Sequence, residues 1–452
     1  MAESSLLQAS TASQPVEHRT LSMLGNSLTL IAGKLATMGL GFLAWVGAAR
    51  VFDQHVVGVG SADVSAMMLC VQIALVGTGA AVISMYPQVR AEPGRLLNTS
   101  FAFTIVTSTL AAIGFLLIAW LFLDNLSVVA TNPVNALALI IMTIMGTLGV
   151  LLDQLSTALR RGDQVLVRGV ATGIATVGLV LLLPLWMDRS VETLLIAWAG
   201  GNTAPIIIGW WQVHHSLPNF RFRPVVDREI FRQINRVGIP NWVLTLTERT
   251  PGAILPLVVT EILTPQANAA WYAAWMMAWV VYVVPIQVGL NLFAESSHRP
   301  DQTHLALRQG VFSSLGIGIV AALGAAIVGP FLLEFLGSGY RDDGARPLQI
   351  LVIGVIPFTF IQGYFAICRA SFRVREAIIA GAISAASGIG AAGLAGSRFG
   401  LNGMAVAWLG TQSIVAIWSV SRLSRFGWSF RMRAVDESRS GQFAGEVPIK
   451  PM

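Results

Sequence analysis

Two cations fall in the middle of long apolar stretches, Lys34 in the first and Arg249 in the seventh. At 1.5 Å of rise per residue each lies about 15 Å into its stretch, close to halfway through a ~30 Å hydrocarbon core. A charge at that depth costs about 2.5–3.5 kcal/mol on the insertion scale, so it is normally held against protein or a water-filled cavity. Lysine occurs only at Lys34 and Lys450 among 29 basic residues. A sequence that otherwise uses arginine therefore places a compact ammonium at mid-membrane. The chemistry offered is capture of an anion in a low-dielectric chamber.

Other polar groups accompany the pair. Asn241, Thr245, Glu248, Gly252 and Pro256 recur at spacings of three and four, forming one helical stripe that Arg249 flanks. Glu248 beside Arg249 lowers the net charge left for a ligand, and an ion pair that only positions helices is the structural alternative. Pro251 and Pro256 remove backbone donors and predict a bend. Ser27, Lys34, Gly41 and Ala48 repeat every seven residues, a small-residue face for helix packing or for a polar substrate. Asp63 is a candidate counter-charge for Lys34 or a proton carrier. Gln72 and Gln287 are candidates to donate hydrogen bonds to a sugar, or equally to other helices. Trp271, Trp275 and Trp279 share a face that would either pack in the interior or stack on sugar rings. Asp153 and Arg369, at helix ends, are weaker candidates.

The elements that position these residues are apolar helices. With 54% hydrophobic residues, 12% charged residues and a mean hydropathy of +0.68, the chain departs from soluble domains, which carry about 25% charge. Twelve spans are predicted: Leu24–Val51, Val57–Met85, Thr99–Leu123, Val134–Ala158, Gly169–Met187, Val191–Trp211, Gly238–Ile262, Ala267–Phe293, Gly310–Leu333, Pro347–Cys368, Ala377–Gly396 and Leu401–Ser421. Loops after even-numbered spans hold fifteen arginines; those after odd-numbered spans hold five. By the positive-inside rule the even loops and both termini are cytoplasmic, in a multi-pass protein of the inner (cytoplasmic) membrane. This explains a pI near 9.9 without nucleic acid as a partner.

The predicted organisation is a cytoplasmic tail over 1–20, a first lobe over 21–212, a basic loop over 213–237, a second lobe over 238–421 and a basic tail over 422–452. Within the loop, Asp227–Arg236 reads either as an amphipathic helix on an anionic leaflet or as a solvated linker. The two lobes open alike, Gly25-Asn26-Ser27 running to Lys34 and Gly238-Ile239-Pro240-Asn241 to Arg249, as duplicated transporter halves do. Cys70 and Cys368 fall inside spans and read as packing residues.

No GxxxxGK[ST] loop, GxSxG elbow, HExxH or His/Cys metal spacing occurs, so neither a cofactor nor an enzyme is expected. The largest outward loop, Glu334–Arg346, is too short to house a glycosyltransferase or polymerase site.

Asn26-Ser27-Leu28, Gly33-Lys34, Gly41-Phe42, Ala48-Ala49-Arg50 and Val57-Gly58, with Ile239-Pro240-Asn241 and the Asn291–Ser297 segment, resemble the polysaccharide-transporter branch of the multidrug/oligosaccharidyl-lipid/polysaccharide exporter superfamily. These are flippases for lipid-linked oligosaccharides. The resemblance implies a MATE-like all-α fold, two six-helix lobes facing each other in a V and opening alternately, with a cationic cavity that Lys34 and Arg249 match by position. It implies a lipid-linked glycan as substrate and membrane lipids as partners, with a glycan polymerase or assembly proteins as further candidates. Two other readings stay open. One is an ion-coupled multidrug exporter with Asp63 or Glu248 as its acidic site. The other is a non-transporting scaffold of a glycan-assembly complex, docked through the 213–237 loop and the basic tail.

Overall fold

Inside hydrocarbon every backbone N–H and C=O must find its partner within the chain, which leaves helices as the economical solution for apolar runs of this length. The computed structural model describes residues 37–89, 93–218, 220–298, 303–371 and 373–440, and these are largely helical with no strand among them. Lys34 and the Gly25-Asn26-Ser27 opening lie outside the described residues. Among the described residues eight helices are long and apolar enough to cross a membrane, nine when the bent pair Ser338–Ile353 and Val355–Ala370 is one span. Helix Arg228–Ile262 falls short of that measure because Glu248, Arg249 and Glu261 lower its hydropathy.

The chain divides into two units, the first reaching Arg249 and including Thr264–Ala269, the second comprising Thr250–Leu263 and the chain from Ala270. The first unit contains α1 (Thr37–Val51), α2 (Gln54–Ala74), α3 (Thr78–Met85), α4 (Gly94–Phe122), a short α5 (Ser127–Thr131), α6 (Pro133–Ala158), α7 (Gly162–Leu182), α8 (Val191–Ser216) and the start of α9 (Arg228–Ile262). Asn132 caps α6, its side-chain oxygen accepting from the Val134 N–H at 2.9 Å, while its Nδ2 donates to Glu192 at 2.7 Å. The predicted second span is broken: Val76 and Gly77 take φ of 38° and 78° between α2 and α3. Gly77 is needed there twice, for its left-handed backbone and because the Gly238 backbone leaves no room for a Cβ.

The second unit continues α9 and holds most of α10 (Pro265–His298), then α11 (Thr303–Leu336), α12 (Ser338–Ile353), α13 (Val355–Ala370) and α14 (Val374–Ser440). α12 and α13 bend by 43° at Gly354, where the Tyr282 hydroxyl donates to the Leu351 carbonyl and fills the space of a Cβ. Helical geometry in α14 is interrupted at Gly400 (φ 63°, ψ −156°), between the eleventh and twelfth predicted spans. The sequence stretch read as the largest outward loop is mostly helix, since α12 starts at Ser338.

Each unit ties helix ends with an ion cluster, buried at Arg168 in the first and partly exposed in the second. In the first, Arg168 is 2% exposed; its guanidinium donates to Asp153 at 2.7 and 3.1 Å, to Ser156 at 3.0 Å, and to Gln212. In the second, Glu376 pairs with Arg373 and, at 3.2 Å, with Arg422. Arg168, counted from sequence among the loop arginines, is thus an interior residue of α7, tolerated because every guanidinium nitrogen has an acceptor.

Candidate substrate-translocation site

Arg249 is positioned by the lower half of α9, and that half is anchored. The segment before it, residues 220–227, is neither helix nor strand and lies along the start of α4. Asn98 donates to the Arg221 carbonyl at 3.4 Å and accepts the Arg223 N–H at 2.8 Å, and Thr99 Oγ1 accepts the Asp227 N–H at 3.0 Å. Asp227 accepts from Glu229 and Ile230 N–H groups at 3.0 and 3.2 Å, so it caps α9, and Arg95 donates to it at 2.6 Å. The Arg95 guanidinium and those two amides hold the Asp227 carboxyl below the usual range.

The stretch Asp227–Arg236 is helical, but it forms the first turns of α9 and is not a separate helix on the bilayer. Ile230 and Ile234 are buried in a cluster with Tyr86, Leu96, Leu97 and Phe220, and Phe231 packs edge-on against Phe103 at 4.9 Å. Its apolar face is therefore occupied by protein and cannot lie in lipid.

Further along, the Gly238 backbone meets that of Gly77, and Trp242 Nε1 donates to the Gln72 carbonyl at 2.6 Å. Gly238, Trp242 and Arg249 follow one another at i, i+4 and i+11, which places them on one helical face. Arg249 thus projects from the face that packs on α2 two turns earlier. It is exposed, and among the described residues no carboxylate lies within ion-pair distance. Glu248 acts on it electrostatically as its sequence neighbour.

The other predicted site residues are dispersed. Asn241 is exposed, its carbonyl accepting from Thr245 Oγ1 at 3.0 Å. Glu248 is half-buried. Lower in the stripe Gly252 abuts the Trp275 indole and Pro256 is buried, so the polar stripe is open at its start and closed at its end. Asp63 is 1% exposed, and among the described residues neither of its oxygens has a hydrogen-bond partner. It is enclosed while Arg249 is open, so the two share no surface. Gln72 is half-buried in α2 and engaged through its backbone; Gln287 is half-buried in α10 of the second unit.

Trp271 and Trp275 stack at 6.0 Å and are 0% and 5% exposed, with Trp275 against Trp408 at 5.5 Å. Those two members of the stripe are interior packing, while Trp279 is half-buried. Gly41 has open space about it, whereas Gly58, part of the Val57-Gly58 motif, has no room for a Cβ beside the Pro265 carbonyl. Asn268, buried, donates to the Gly58 carbonyl at 3.0 Å and to Ser61 Oγ at 3.1 Å. Its sequence signal was slight: an amide three residues after a proline, at the start of an apolar run.

These features define a class, an all-helical multi-pass membrane protein. Residues 23–295 match the family described as polysaccharide biosynthesis protein, and the chain belongs to that family. No curated protein matches it. Among solved structures it is similar to an inward-facing multidrug resistance MATE family transporter of the MOP superfamily, at 12% identity over 86% of this chain and 95% of that one, with a TM-score of 0.65. An outward-facing MATE family transporter aligns at 13% identity over 89% and 96% of the two chains, TM-score 0.62. A MOP superfamily transporter from Pyrococcus furiosus, described as having a binding pocket of reverse polarity, aligns at 13% identity over 91% and 95%, TM-score 0.58. Identities this low establish the shared fold alone.

Proposed function

We propose that this protein moves a lipid-linked oligosaccharide from the cytoplasmic to the outer leaflet of the inner membrane, its phosphates held by Arg249 and Lys34 while the lipid tail stays in the bilayer. The observation that carries the reading is Arg249 itself: a mid-span guanidinium, exposed, and without a carboxylate in ion-pair distance among the described residues. At hydrocarbon depth such a group attracts phosphate more strongly than one in bulk water, because the surrounding medium is of lower dielectric. Family membership in polysaccharide biosynthesis and a transporter fold support the substrate class. The Pyrococcus furiosus neighbour, whose reverse-polarity pocket is described as suggesting a different function, is a precedent for functional variety within the fold. Both termini and the arginine-rich loops are assigned to the cytoplasmic side.

The test is Arg249→Ala and Arg249→Lys, each at normal protein level, in cells that need the exported glycan. A charged hydrogen bond to phosphate is worth about 1.5–3 kcal/mol, so the alanine variant is expected to lose about 10- to 150-fold in flux and lysine to restore part of it. Full export by the alanine variant refutes the proposal. Asp63 supports a second reading, ion-coupled export of amphipathic cations, because an enclosed carboxylate with no hydrogen-bond partner among the described residues is suited to exchanging a proton. Drug resistance on overexpression, lost in Asp63→Asn, would select that reading instead.

A further inference from the structure

The arginines at the start of α9 have a free face. Arg228, Arg232 and Arg236 stand at i, i+4 and i+8, exposed, on the side away from buried Ile230 and Ile234. Arg221 and Arg223 are exposed on the adjoining extended segment, which Asn98 and Thr99 hold in place. None of the five has an ion pair among the described residues; the nearby acid Asp227 is taken by Arg95. Between the two groups Val225 and Val226 are 60% and 48% exposed. The span predicted from sequence begins at Gly238, two residues past Arg236, and on that basis the cluster is taken to stand at headgroup depth.

We infer that this surface is a docking site for anionic phospholipid headgroups, the five arginines contacting phosphates while Val225 and Val226 enter the acyl boundary. Charge complementarity selects the occupant, since five unneutralised guanidinium groups at headgroup level face whichever lipids carry negative charge. Pinning to α4 means that little ordering is needed when lipid binds. The inference requires a multi-pass membrane protein and is independent of what that protein transports.

The test uses the full-length protein in vesicles without glycan substrate. The chain has two cysteines, and both are buried. A Val225→Cys variant therefore offers one accessible thiol for a fluorophore. Quenching is measured as quencher-bearing phosphatidylglycerol or phosphatidylcholine replaces unlabelled phosphatidylcholine. Phosphatidylglycerol should be enriched at the probe by several-fold, at about fivefold per fully engaged arginine, and 0.5 M NaCl should weaken this. The R221Q/R223Q/R228Q/R232Q/R236Q variant should bring the ratio near one. The R221K/R223K/R228K/R232K/R236K variant should keep the preference and guards against a folding artefact. Equal quenching by the two lipids in the wild-type background, or equal loss in the glutamine and lysine variants, overturns the inference. A normal lipid preference beside an inactive Arg249→Ala variant, or the reverse, separates this claim from the transport reading.

Discussion

Replacing Arg168 by methionine probes the energetics of the first unit most directly. Methionine keeps the length of the side chain but removes four donated hydrogen bonds, two to Asp153 and one each to Ser156 and Gln212. The acceptors do not suffer alike. Asp153 has a side chain 44% exposed, so water replaces the guanidinium and little is lost there. Ser156 retains its bond to Gln164 at 2.9 Å. Gln212 is 5% exposed, and its side-chain oxygen becomes a buried acceptor without a donor, a loss of about 1–3 kcal/mol. With the other bonds added, the expected destabilisation is about 2–3 kcal/mol, below the 3–5 kcal/mol typical of breaking a fully buried pair. Detergent-driven unfolding of the purified protein would measure it. Adding Gln212→Met should recover part of the loss, because the orphaned oxygen goes with it. A loss under about 0.5 kcal/mol in the single variant, or no recovery in the double, would refute this account.

Gly77→Ala and Gly58→Ala should each cost at least about 1–3 kcal/mol in thermal unfolding, since the new methyl meets backbone that cannot move aside. Gly114→Ala, with nothing within 4 Å, should instead stabilise by up to about 1 kcal/mol, and a similar response at all three positions would contradict the assigned packing. Arg95→Gln should change the acid limb of stability. With Asp227 held below its ordinary value, the Arg95 pair contributes above about pH 4 and is lost as pH falls through the folded-state value, so the melting curves of variant and wild type should converge in acid. Parallel curves down to about pH 2 would show that the pair plays no part.

Site legibility followed a physical divide. Arg249 was visible as a mid-span cation, because burying charge in hydrocarbon is too costly to occur without cause. The tryptophan stripe was visible as a stripe, but its use was not. Periodicity reports a shared face and is silent on what covers it; Trp408 and ring stacking cover Trp271 and Trp275, while Trp279 stays half-buried. Asn268 escaped notice, and Gly58 showed only as part of a motif, because their contact spans 210 residues, a separation at which local spacing carries no signal.

The sequence by itself determined that the chain is a multi-pass helical membrane protein. Apolar runs long enough to cross a bilayer have no other way to satisfy their backbone, and that argument needs no knowledge of neighbours. Only the tertiary structure decided that Asp227–Arg236 turns its apolar side to protein and its arginines outward. It also decided that Arg168 is an interior ion while Arg249 stands open. An arginine in a helix reads the same in either setting. What separates the two is whether Asp153 and Gln212, brought by other helices, reach the guanidinium.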